Sequence, residues 1–143
     1  MVSRFDSGHS LHKKSGGKFI METLRERMVL STGQKVTVHY IFKEKDRRTI
    51  AIAMNTSNLV SAHVAEIMDQ YFPATLFTNK VKERLDMKNT YRSVAKCCPE
   101  DTWSKEEGMN IARAKLRAKL EDTMQKRKAY IAELLRHSVV DKL

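Results

Sequence analysis

Residues 94–119, VAKCCPEDTWSKEEGMNIARAKLRAK, oblige a strand to end and a helix to begin at defined points, and the rest of the chain must accommodate that junction. Valine, alanine and cysteine up to Cys98 suit an extended, half-buried segment, so a strand is expected over Tyr91–Cys98. Pro99 steers the residue before it away from helical backbone angles. Ser104 followed three residues later by Glu107 is a capping box, in which the hydroxyl accepts from a first-turn amide and the carboxylate reaches back to the cap N–H. A helix should therefore begin at Ser104. Trp103 stands just outside the cap, where a large apolar side chain closes over the first turn. Because Gly108 occupies the usual partner position, that contact has to reach Met109 or beyond.

This helix should run to about His137. At about 1.5 Å per residue it would be on the order of 50 Å long, more than a small sheet can cover, so part of it must project or pair with something else. Met109, Ala112, Leu116, Leu120, Met124, Ile131 and Leu134 or Leu135 form an apolar stripe that drifts, so a regular coiled coil is not indicated and the first half should pack on the sheet. Arg113, Lys115, Arg117, Lys119, Lys126, Arg127 and Lys128 load much of the remaining surface with positive charge. Such a face is ordinarily just solvated and laced with pairs such as Asp122–Lys126; the functional alternative is contact with phosphate or an acidic surface.

Upstream, Val36, Val38, Tyr40 and Phe42 alternate with polar residues, and Ile50, Ile52 and Met54 alternate with Thr49, Ala51 and Ala53. The period of two predicts two half-buried strands facing one core, with those apolar residues inward. Glu44–Arg48 is then a charged turn whose Arg47 and Arg48 are candidate contacts. Asn55–Asn58 supplies caps for a helix with Val60, Val64, Ile67, Met68 and Tyr71 on one face, stopped by Pro73 and expected to pack on the hairpin, with His63 at its boundary. Phe19–Leu30 fits a helix or a strand. In Ala74–Asn89, TLF suits a strand, whereas Val81, Arg84, Leu85 and Lys88 suit a turn or two of helix. Met1–Lys18, rich in Ser, Gly, His and Lys, reads as a basic flexible arm with Lys13 and Lys14 as candidate contacts. Its His9 and His12 read as tail residues, since no second ligand pair stands nearby. The expected fold is α+β: an N-terminal hairpin with a helix, then a small antiparallel sheet leading into the long basic helix. Residues 19–143 form a single domain, divisible at most into 19–73 and 74–143.

Cys97, Pro99, Asp101, Trp103, Glu106, Gly108, Ala112 and Ala114 fall in the spacing C-x-P-x-D-x-[FW]-x-x-E-x-G-x-x-x-A-x-A. This resembles a motif of small phage and prophage proteins of Gram-positive bacteria, often described as similar to the double-stranded RNA-binding fold. The resemblance covers about a quarter of the chain. It implies a phage source and an α-β-β-β-α unit, and it carries no catalytic residue with it.

Charge narrows the function classes. Twenty-seven Lys and Arg against 17 Asp and Glu leave +10, which favours nucleic acid, a ribonucleoprotein or an acidic protein surface as partner. Residues 1–58 hold 11 basic and 5 acidic side chains, 59–103 hold 6 of each, and 104–143 hold 10 and 6, so both ends are basic. Glycine-rich phosphate loops, HExxH, paired-cysteine zinc spacing and a serine-centred elbow are missing, so neither enzymatic turnover nor a cofactor is expected. Cys97 and Cys98 are adjacent and cannot join distant segments, which fits reduced, structural thiols. Without an apolar run of membrane-spanning length or a secretory leader, the expected location is a host cytoplasm. Together these point to a phage-encoded, non-catalytic binding protein that inhibits or modulates a host nucleic-acid-handling complex, anti-CRISPR activity being the leading specific form. The alternative is a regulatory or accessory protein acting on nucleic acid directly.

Overall fold

The structure, a computed structural model, describes residues 10–12, 21–67 and 77–142. Five strands, β1 (Ser10–His12), β2 (Met21–Val29), β3 (Lys35–Lys43), β4 (Arg48–Met54) and β5 (Thr90–Lys96), form one antiparallel sheet in that order. Helices α1 (Leu59–Ile67) and α2 (Asn79–Leu85) lie in the connection from β4 to β5, and α3 (Lys105–Lys142) follows β5. The class is α+β, as expected. Among the described residues the order of elements is β-β-β-β-α-α-β-α. Ser10–His12 lie in the segment expected to be a flexible arm, yet they pair with Met21–Thr23. Other residues of 1–18, including Lys13, Lys14 and His9, lie outside the described ones, as do Met68, Tyr71 and Pro73.

Phe19–Leu30 resolves as strand from Met21 onward. Leu24 and Met28 are buried, and their separation of four fits a strand face as well as a helix turn, which is why the sequence left the choice open. In β3, Val36, Val38, Tyr40 and Phe42 point inward as expected. For β4 the expected face is reversed. Thr49, Ala51 and Ala53 are completely buried on the core side because they stand opposite Phe42, Tyr40 and Val38, and cross-strand partners share a face. Ile50, Ile52 and Met54 therefore point the other way. Alternation separates the two faces of a strand but does not say which one the helix covers.

Here α3 selects the face with the smaller side chains. A Cβ on Gly108 would sit 2.4 Å from Thr49 Oγ1, and Ser93 Oγ donates to Ala112 O at 2.6 Å, so helix and sheet approach closely at Gly108 and Ala112. Ser104 Oγ accepts from Glu107 N at 3.2 Å, which sets the helix start. The stripe Met109, Ala112, Leu116, Leu120, Met124 and Ile131 is buried, with Trp103, Leu134 and Leu135 packed partly against the same core. Although α3 has 38 residues, its second half does not simply overhang: Arg84 of α2 lies with its guanidinium 4.8 Å over the Tyr130 ring, and α1 also contacts α3. α1 closes one end of the core and is tied to the β2–β3 turn by Gln34 Nε2 donating to Leu59 O at 3.0 Å. α2 realises the helical reading of Val81–Leu85, capped by Thr78.

Candidate functional site

The cations of α3 do not form one free patch. Arg113 Nε donates to Glu26 Oε1 at 2.7 Å and its NH2 to Oε2 at 3.2 Å, while Tyr40, wholly buried, donates its hydroxyl to the same carboxylate. Burial, then the hydrogen bond to Glu26, pushes the Tyr40 phenol well above its ordinary value. One turn later, Arg117 NH1 donates to Val29 O at 2.6 Å on the same margin of the sheet. Lys115 and Lys119 reach the opposite margin, donating to Val94 O at 3.1 Å and Arg92 O at 2.6 Å. These four residues strap the helix across the sheet. Farther along, Lys126 faces Asp122 at 3.3 Å, Arg127 Nε donates to Asp86 O at 3.4 Å, and Lys128 is half-buried. Arg47 belongs to the corner beyond β5, where its NH2 donates to Cys97 Sγ at 3.3 Å, to Cys98 O at 3.1 Å and to Asp101 O.

Among the described residues, cations with no carboxylate on their own face lie on the other side of the sheet, at positions that, Arg48 apart, the sequence reading passed over. Register places Arg25 and Arg27 of β2, Lys35 and Lys43 of β3, Arg48 of β4, and Arg92 and Lys96 of β5 on the face away from α3. The carboxylates within β2–β5 are Glu22 and Glu26, and both turn inward, to Lys105 and Arg113. Cross-strand neighbours arrange this face in rows. Lys43, Arg48 and Lys96 stand directly opposite one another in one row; Thr23, Ile41, Ile50 and Val94 form the next; Arg25, His39, Ile52 and Arg92 the one after. The two cationic rows are about 13 Å apart along the strands, with the aliphatic row between them. Like charges directly opposite cost stability in an isolated sheet, and Arg48 Nε is buried without a hydrogen-bond partner. Burial and the Arg25 charge hold His39 below its ordinary value. The signal was available: in β5, Arg92 and Lys96 alternate with the buried Tyr91, Ser93 and Ala95.

Beside this face, the edge strand β5 and α3 enclose an open groove of about 760 Å³ lined by Lys88, Arg92, Lys119, Lys126 and Arg127 among others, with no carboxylate in its lining. A smaller cavity of about 230 Å³ sits at the β5–α3 corner against Thr49, Cys97, Asp101, Trp103, Gly108 and Ile111. Here the motif residues have packing roles: Gly108 makes room for Thr49, Cys97 accepts from Arg47, and Trp103 packs, partly buried, against the core. Both cysteines are free thiols. Among the described residues no three His, Cys, Asp or Glu side chains gather as a metal site, and no helix is long and apolar enough to cross a membrane. Comparison of the chain with family models, with curated proteins and with solved structures returns no match.

Proposed function

We propose that this protein is a non-catalytic binding protein that engages phosphate backbone, and that it acts as a phage-encoded inhibitor or modulator of a host nucleic-acid-handling complex, anti-CRISPR activity being its leading specific form. One observation carries the reading: the outer face of β2–β5 presents seven Lys and Arg side chains and no carboxylate. An outer face of that kind attracts polyanions with affinity that falls steeply in salt. The aromatic residues of β3 and β5, Tyr40, Phe42 and Tyr91, are buried on the core side, so among the described residues this face offers no base-stacking platform and suits backbone contact in preference to base reading. The motif resemblance supports the phage origin.

Purified protein titrated against a guide-loaded effector should abolish target binding or cleavage near equimolar ratio, with salt-sensitive association. Capture from a bacterial lysate with and without nuclease distinguishes an RNA-bearing target from an acidic protein surface. Tight binding to naked nucleic acid with no effect on any effector would move the assignment to a regulatory or accessory protein. Sub-stoichiometric turnover of a substrate would sink the blocking mechanism.

A further inference from the structure

Resting on that nucleic-acid reading, we infer that the groove between edge strand β5 and α3 is a phosphodiester channel that seats one nucleic-acid strand, as a site distinct from the outer sheet face, which it meets at Arg92. Three of its five cations are held in place by groups that carry no charge. Lys119 Nζ is fixed by Arg92 O at 2.6 Å, Arg127 Nε by Asp86 O at 3.4 Å, and Lys88 Nζ lies 6.0 Å from the centre of the Tyr91 ring. A carbonyl or a ring orients a cation and leaves its charge intact, so part of the ordering cost of binding is already met by the fold. Lys126 is paired with Asp122, but both side chains are about two-thirds exposed or more, a pair that an incoming phosphate and salt can displace. Arg92 completes the lining.

Two observations define the occupant. A peptide strand cannot add to β5 in the usual way, because Lys115 and Lys119 occupy the carbonyls of Val94 and Arg92 that strand addition would need. Five cations along a groove of about 760 Å³ also exceed what one free phosphate would use, whereas successive phosphates of a strand meet them in turn.

The test compares K88Q/K119Q/K126Q in the groove with R25Q/R27Q/K35Q on the outer face. Fluorescence anisotropy would follow binding of a single strand of about 20 nucleotides and of the corresponding duplex, between roughly 50 and 200 mM salt. The groove variant is expected to lower the salt slope for the single strand by about two units, since each phosphate contact contributes roughly 0.7. Unchanged slope and affinity in the groove variant, with a loss in the outer-face variant, would overturn the channel and leave the nucleic-acid reading standing. Failure of the unmodified protein to bind either probe would overturn both. Should the groove variant melt early, Thr90→Glu, which places a carboxylate at the exposed start of β5, is expected to weaken single-strand binding about tenfold, a cost of about 1.4 kcal/mol. Unchanged affinity in that variant overturns the channel. Competition by inorganic phosphate beyond its effect as salt would assign the groove to a free anion and also overturn it.

Discussion

Glu26 illustrates how a single side chain can decide what its neighbours are free to do. Its carboxylate sits under α3 and accepts from Arg113 and from Tyr40, so the guanidinium that looks like a phosphate ligand in the sequence is committed to the fold. Glu26→Ala would leave Arg113 and the Tyr40 hydroxyl without that partner in a largely buried place, and a loss of about 3 kcal/mol is expected in denaturant unfolding. Tyr40 gives the fold an alkaline limit. Because the folded phenol stays protonated above the pH at which an exposed one ionises, its stability contribution is intact below about pH 10 and is lost progressively as pH rises beyond it. Unfolding midpoints measured across that range should fall, and Tyr40→Phe should remove this part of the fall. His39 behaves oppositely. Its folded value is depressed, so its contribution is whole above the ordinary histidine value near 6.5 and fades as pH falls below it. Polyanion seated on the outer face should raise the His39 value, readable as an NMR titration with and without oligonucleotide; an unmoved titration would place the ligand elsewhere.

Packing of α3 against β4 turns on the absence of side chain. Gly108→Ala brings a methyl within 2.4 Å of Thr49 Oγ1 and 3.2 Å of its Cβ, so the helix or the strand must shift at a cost of about 1–3 kcal/mol. The same change in a Thr49→Ala background should cost less, and a double-mutant cycle that returns no coupling would show that the two elements do not meet there. These contacts also explain what could be read in advance. The alternation of β3, the Ser104 cap, the α3 stripe and the strand ending near Pro99 are local patterns, and all reappear. The face of β4 was misread because the choice depends on how closely a helix some 55 residues away approaches, and small residues permit the closest approach. α3 cations could not be sorted in the sequence either, since their partners, the carbonyls of Val29, Arg92 and Val94, belong to strand margins that only the assembled sheet defines.

At the scale of the molecule, three described helices share one side of a sheet whose far side is cationic. The net charge of +10 favours a polyanion partner without locating its surface, because Lys35, Lys43, Arg92 and Lys96 come together only when β3, β4 and β5 are in register. The topology also has a consequence in time. β4 pairs on one side with β3, its immediate predecessor, and on the other with β5, which is separated from it by residues 55–89. During synthesis at roughly 5–20 residues per second, the RTIAIAM strand waits about 2–7 seconds with one edge unpaired, its alternate isoleucines exposed to any similar strand nearby. The lysines that later guard β5 arrive after that again. Chains halted at residue 89 should therefore be recovered as oligomers or bound to chaperones, with monomer yield restored only once translation has passed the first half of α3.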